Sequence, residues 1–328
     1  MQYLFPVLKK DGMTVHSGCV KMLRTMEIKR SKGDPWRVNV SDEERLLPER
    51  AAGEVLRFLE AWCQAFKWEP SWARTNFGVP TLFARADMTV GPNGEALIYE
   101  IEDKPAGMGF TPEINRDFAR RFAAVRATWP EFSVVQSPKR KRAVDDHMWM
   151  PEIGFEEAFR TDGLLLVRGE PNEDELLREL VPRSVSTVTT NWDKVYGAKL
   201  GMWNEVRHEA VLSGQDLPWD KGFCLKPLRT SGAQDVHIWN PRDKKGGSTR
   251  SQIMRALERQ GAMYLQPFMA PMTWQIEGRP HFGIYRVFFG FNTVSKRWVP
   301  LGGLWMARHG TMRIHGASDT VTGAVTVA

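Results

Sequence analysis

Two short alternating runs flank Pro92-Asn93-Gly94-Glu95 within the segment Pro80 to Lys104, and together they carry Arg85, Asp87, Glu100 and Glu102. Asn-Gly between such runs is a strong hairpin signal, because a type I′ turn needs positive φ at both central residues. With Asn93-Gly94 as a two-residue loop, Pro92 faces Glu95, and the register then sets Asp87 opposite Glu100 and Arg85 opposite Glu102. Alternation collects these four charged residues on one face and Ala86, Met88, Val90, Leu97, Tyr99 and Ile101 on the other. Facing carboxylates repel each other in a plain sheet. A cation reverses the sign, and hard oxygen donors of this kind suit magnesium, which takes one or two protein carboxylates and fills its shell with water and phosphate oxygens. The alternative is an exposed hairpin whose charged face simply meets water, with Arg85 pairing Glu102 across the strands.

A second set of groups lies further along. In Phe223-Cys224-Leu225-Lys226-Pro227 a lysine interrupts an apolar strand, and a lysine taken out of water needs an anionic or polar partner. Phosphate would serve, and the small-residue loop Thr230-Ser231-Gly232-Ala233 could lay its backbone N–H groups over phosphate oxygens. Lys199 is a further candidate on or before a helix, with Lys194 as its local competitor. Tyr264-Leu265-Gln266-Pro267-Phe268 reads as a strand ending in an extended linker, a backbone able to read the edge of an adenine ring.

The elements that must hold these groups alternate along the chain. Helical patterns cover Ala51 to Phe66 and Phe118 to Thr128, on either side of the hairpin. A buried strand is expected at Gly163 to Val167, a helix at Glu173 to Leu180 opened by Asn172, and another helix from Asn191 through Leu200, Trp203 and Val206. The strand Phe223 to Pro227, a helix over Ser251 to Gln260 and a strand Met263 to Phe268 follow, and then strands at Phe282 to Phe291, Arg297 to Met306 and Thr320 to Val327. The basic run Lys139-Arg140-Lys141-Arg142 reads as a solvated linker. These patterns divide the chain into an N-terminal region with the hairpin (1–136), a linker and small α/β segment (137–190), a lysine-bearing lobe (191–270) and C-terminal strands returning to the first region (271–328).

Composition narrows the class. A chain of 328 residues with 42% hydrophobic and 26% charged residues can bury a sizeable core, which excludes wholesale disorder. Three widely spaced cysteines make neither a disulfide framework nor a zinc spacing, and Lys9-Lys10 arrive too early for a secretory leader, so a cytoplasmic protein is expected, with no membrane partner. The net charge of +6 calls for an anionic partner but is as readily used on nucleotide phosphates as on nucleic acid. No GxSxG, HExxH, Walker A or cysteine–histidine signature is present.

Taken together, these pieces resemble ATP-grasp proteins of the permuted order, including glutathionylspermidine synthase and related amide-forming ligases. Arg85-Ala86-Asp87 and Glu100-Ile101-Glu102 match that family's Arg-x-Asp and Glu-x-Asn strands, with Glu102 in place of Asn. Gly302-Gly303-Leu304-Trp305-Met306-Ala307-Arg308 and His315-Gly316-Ala317-Ser318-Asp319-Thr320 resemble its two closing motifs. The resemblance runs from about Thr81 to Val327 and implies an α/β (α+β) fold in which two lobes clasp ATP around a mixed or antiparallel sheet with flanking helices. It implies that Asp87, Glu100 and Glu102 hold Mg2+, that Lys199 and Lys226 contact ATP, and that Gln266 to Phe268 form the hinge. Arg85 would steady the transferred phosphoryl group, with Arg286 and Arg308 on the triphosphate. The reaction implied joins a small-molecule or peptide carboxylate to an amine through an acyl-phosphate, releasing ADP and phosphate.

Other readings stay open on the residues alone. Gly302-Gly303 could be a turn, His315 a satisfied surface or core histidine, and Arg286 a core-edge ion pair. An ATP-binding regulatory protein or a phosphotransferase on the same fold would need the same residue types. A nucleic-acid binder would use the excess charge and the 13 tryptophans, but the basic residues are dispersed and carry no recognisable motif.

Overall fold

The computed structural model describes residues 7–8, 14–20, 24–28, 36–66, 81–102, 107–129, 132–136, 164–168, 204–212, 217–228, 235–242, 247–312, 314 and 319–328. The fold is α+β, with a mixed sheet of eleven strands, a four-stranded sheet and a parallel pair, Phe132–Gln136 with Leu164–Arg168. Two long strands, Arg279–Asn292 and Arg297–His309, form the middle of the large sheet. The other edge of Arg279–Asn292 is shared: Met272–Ile276 pairs along its first part, and Phe83–Val90 pairs with Tyr285 to Gly290. On the far side of Arg297–His309, Val321–Val327 pairs in turn with Trp36–Val40 and Arg45–Leu47, both parallel.

Burial follows the sequence periods. Along the helix Glu49–Phe66, Ala51, Val55, Leu59 and Trp62 recur at helical spacing and are at most 1% exposed. They join Phe83, Ala86 and Met88 of the hairpin, Phe118, Phe122 and Val125 of the helix Arg116–Arg126, and Trp274 and Trp305 in the main core. A second cluster of Met26, Val38, Val40, Phe110, Ile284, Leu304 and Met306 forms a separate core. The four-stranded sheet of Asn204–Arg207, Ala262–Pro267, Phe223–Pro227 and His237–Trp239 packs Phe223, Leu225 and Met263 on Ile253, Ala256 and Leu257 of the helix Arg250–Gln260. That helix opens with Thr249, whose side chain accepts from the Gln252 N–H while the Gln252 side chain accepts from the Thr249 N–H.

Three expectations need correction. The hairpin turn is a three-residue loop, not a two-residue one. The Gly91 N–H donates to the Glu95 carbonyl at 2.9 Å, and of Asn93 and Gly94 only Gly94 has positive φ, at 79°. Val206 lies on the strand Asn204–Arg207, followed by the short helix His208–Leu212, because Val206 pairs with Met263 and packs against the small sheet's core. Gly302-Gly303 is no turn: both residues sit inside Arg297–His309. A Cβ on Gly303 would stand 2.0 Å from the Arg286 carbonyl oxygen, so glycine permits the close approach of two backbones there. The expected helices at 173–180 and 191–203, the basic run 139–142, Lys194, Lys199, the loop with Ser231 and Gly232, and His315 lie outside the described residues.

Candidate active site

The hairpin strands are Phe83–Val90 and Ala96–Glu102, and Asp87 does face Glu100 while Arg85 faces Glu102. The register is reached by two compensating shifts. The three-residue loop moves the pairing by one, so that Met88 faces Ile98, and a β-bulge between Asp87 and Met88 moves it back, leaving Tyr99 as the extra residue. The three-residue loop and the bulge change two face assignments, since Leu97 now faces Thr89 on the side of Asp87 and Tyr99 is left as the extra residue. Ala86, Met88, Ile98 and Ile101 enter the main core, whereas Tyr99, expected beside them, packs with the second cluster. The sequence carried a trace of this: strict alternation would have left the apolar Ile98 among the charged residues.

The charged face is buried at Arg85 and Asp87 and part-buried at Glu100 and at Glu102, whose side chain is 30% exposed. Arg85 is 2% exposed; its Nε donates to Asp87 Oδ1 at 2.7 Å and its Nη2 to Asp87 Oδ2 at 3.2 Å and to Glu102 Oε1 at 2.7 Å. Arg286, directly across from Asp87 on the long strand, brings its Nη2 to 3.2 Å from Asp87 Oδ2. The Arg85–Glu102 pair of the water-facing alternative is therefore present, with its arginine end buried and its carboxylate end partly exposed. Asp87 is clasped by two guanidinium groups and is not pooled with Glu100 and Glu102 as a carboxylate cluster. Among the described residues no three His, Cys, Asp or Glu side chains are gathered around one point.

Electrostatics follow this geometry. Burial pushes the Asp87 carboxyl up, but Arg286 and Arg85, with Lys226 adding to them, outweigh it and hold the group below its ordinary value. Burial also dominates at Glu102; Arg85 opposes it, Glu100 and Asp87 reinforce it, and the group is pushed up to about 7. Burial by itself would lower the Arg85 value, yet Asp87 and Glu102 raise it, so the guanidinium stays charged.

Stability should carry the signature of Glu102. A carboxyl raised in the folded state binds more protons than in the unfolded chain, so its contribution is full below its ordinary 4.5 and is lost as pH rises toward about 7. Urea midpoints measured across that window should decline for the parent and flatten for Glu102→Gln; parallel profiles would remove Glu102 as the cause.

The small sheet meets the hairpin at the bulge. Phe223 and Leu225 are spent on the small core, so alternation turns Cys224 and Lys226 to the opposite face, with Gln266 paired to Cys224. Interrupting the ladder at Tyr99 leaves backbone carbonyls for other donors. Lys226 Nζ donates to the Tyr99 carbonyl at 2.6 Å, and the 2% exposed Gln266 donates through Nε2 to the Ile98 carbonyl at 3.1 Å. The Tyr99 hydroxyl donates to the Met269 carbonyl at 3.0 Å, tying the same point to the segment after the strand.

Arg85, Asp87, Arg286, Glu100, Glu102 and Lys226 are thus assembled from four strands of two sheets. Arg308 stands apart: it shares a face with Arg286, but Ile284 and Met306 lie between, about 13 Å along the strands, and its Nη2 meets Asp319 at 2.8 Å. Phe268 is fixed by its N–H to the Gly222 carbonyl at 3.0 Å, with its ring over that glycine. Tyr99 is the site residue that alternation concealed.

The donor set can be tested against a hard cation. Asp87 is committed to its arginines. Glu100, part-buried, forms no ion pair among the described residues, and Glu102 has its Oε1 on Arg85. Two carboxylates two residues apart on one strand match in number and type the one or two protein ligands that Mg2+ takes.

No family model and no curated protein matches the sequence. Among solved structures, the chain is similar to a glutathione synthetase-like effector from Globodera pallida in its apo form, at 10% identity and a TM-score of 0.39 over 94% of this chain and 93% of that one. A likeness of that depth carries no weight for fold or chemistry.

Proposed function

We propose that the chain is an ATP-grasp ligase that binds ATP and Mg2+ where the acidic hairpin meets the Lys226 sheet, and joins a carboxylate to an amine with release of ADP and phosphate. The observation that carries this reading is the placement of three cations and three carboxylates along a partly buried seam between two sheets. Phosphoryl transfer asks a protein chiefly for positioning and charge neutralisation, and this set supplies both.

The chain's residues divide the work. Glu100 and Glu102 would hold Mg2+, which when bound offsets the negative charge of the terminal phosphates. Asp87 holds the Arg286 guanidinium in place, and the buried Nε of Arg286, which has no hydrogen-bond partner, would donate to a phosphoryl oxygen. Arg85 is buried against two carboxylates, so its role shifts from touching the phosphoryl group to aligning Asp87 with Glu102. Lys226 would exchange the Tyr99 carbonyl for phosphate, and Lys199, Ser231, Gly232, Gln266 and Phe268 would complete the nucleotide side, whereas Arg308, paired with Asp319, is too far along the strands to join Arg286 there. The substrate carboxylate attacks the γ-phosphorus and ADP leaves; the amine attacks the acyl carbon, phosphate leaves, and the amine gives up a proton.

The test is incubation with Mg2+-ATP and pools of amino acids, polyamines and peptides. ADP with a new amide mass, and a hydroxamate when hydroxylamine is added, are the expected products. Stoichiometric AMP, or a stable phosphorylated product without amide, would make the chain an adenylating enzyme or a phosphotransferase. Separately, Lys226→Met should weaken ATP binding by about tenfold or more in calorimetry, the loss of one charge-assisted contact. Equal affinities would take Lys226 out of the nucleotide site.

A further inference from the structure

A pair of histidines lies away from the carboxylates. His281 and His309 are directly opposite each other on the two long strands, with ring centroids 5.3 Å apart. His281 alternates with Gly283 and Tyr285 on the main-core face, opposite the face of Ile284 and Arg286. His281 Nδ1 is 3.0 Å from the Arg279 carbonyl oxygen, and His309 Nδ1 is 2.9 Å from that of Pro280. A carbonyl oxygen only accepts, so both Nδ1 atoms carry a proton, and in the neutral tautomer this fixes, Nε2 is the nitrogen left to ligate. A backbone carbonyl on the second ring nitrogen is also the usual brace of a metal-ligating histidine.

We propose that His281 and His309 together bind a borderline divalent cation of the Zn2+, Ni2+ or Cu2+ class through their Nε2 atoms, with water completing its shell. Imidazole nitrogen selects this class over Mg2+ or Ca2+. Two rings sharing one ion at about 2.0–2.1 Å per nitrogen in tetrahedral geometry stand about 5 Å apart, centre to centre. A bound ion clamps the ends of the two longest strands together and stabilises the folded chain by mass action.

The experiment is calorimetric titration of tag-free protein with Zn2+ at neutral pH, in excess Mg2+ so that hard-oxygen sites are filled. One equivalent should bind and should raise the unfolding temperature. His309 is exposed, so His309→Ala should fold, weaken Zn2+ binding by at least about tenfold and lose the thermal shift, whereas Glu102→Gln should keep both. Absence of Zn2+ binding by the parent, equal binding by His309→Ala, or loss only in Glu102→Gln would overturn the proposal. None of these outcomes depends on ATP or on ligation.

Discussion

Asp87→Asn is expected to destabilise the protein by about 3–5 kcal/mol, the cost of removing one member of a buried ion pair and stranding the other. Arg85 has 2% of its side chain exposed and Arg286 15%, and Asp87 is the anion they share. Glu102 remains for Arg85 at 2.7 Å, so the loss should fall most heavily on Arg286. Urea unfolding of the parent, Asp87→Asn, Arg286→Leu and the double variant would measure it, with the double variant recovering part of the single losses. A drop below about 1 kcal/mol for Asp87→Asn would show that water reaches the pair and that the site is not desolvated.

A second large effect should come from a single methyl group. Gly303→Ala places a Cβ against the Arg286 carbonyl, and that strand cannot simply retreat. From the helix end, Asn115 Nδ2 donates to both the Gly303 and the Val325 carbonyls at 2.8 Å, while its Oδ1 accepts from the Phe118 N–H at 3.0 Å. Overpacking against fixed backbone costs typically about 1–3 kcal/mol, and the upper end applies here because backbone, not a flexible side chain, meets the new atom. Gly278→Ala is the control for the added atom: nothing lies within 4 Å of its Cβ position, although its positive φ of 76°, which Gly303 does not share, strains an alanine there. If Gly303→Ala lost no more stability than Gly278→Ala, the close approach would be softer than described.

Much of the large sheet was legible because its strands alternate or run continuously apolar, and the helix Glu49–Phe66 because its apolar stripe is unbroken. The hairpin is the instructive case. Asp87 faces Glu100 as the sequence predicts, yet the two-residue loop behind that expectation is absent, and a bulge at Tyr99 restores the register. Local turn chemistry cannot reveal such a bulge, because the donors that satisfy its freed carbonyls, Lys226 and Gln266, lie far along the chain. The same limit explains Asp87. Residue types pointed to a carboxylate cluster, but Arg286 is placed beside it by pairing between distant strands, which no window of sequence contains. Val206 read as helical from its spacing with Leu200 and Trp203, and the partner strand at Met263 decided otherwise.

That long-range pairing also sets an order in time. The hairpin can close within microseconds once its residues exist, since its two strands are neighbours in sequence. Arg286 is added about two hundred residues later, which at roughly 5–20 residues per second is a wait of ~10–40 s during synthesis. Through that interval Asp87 can stay ionised in water at little cost, and no buried charge is left unmatched. The guanidinium and the carboxylate leave water together when the late strand docks. Closing the sheet across so long a loop should make this docking a slow event in refolding, later than formation of the hairpin itself.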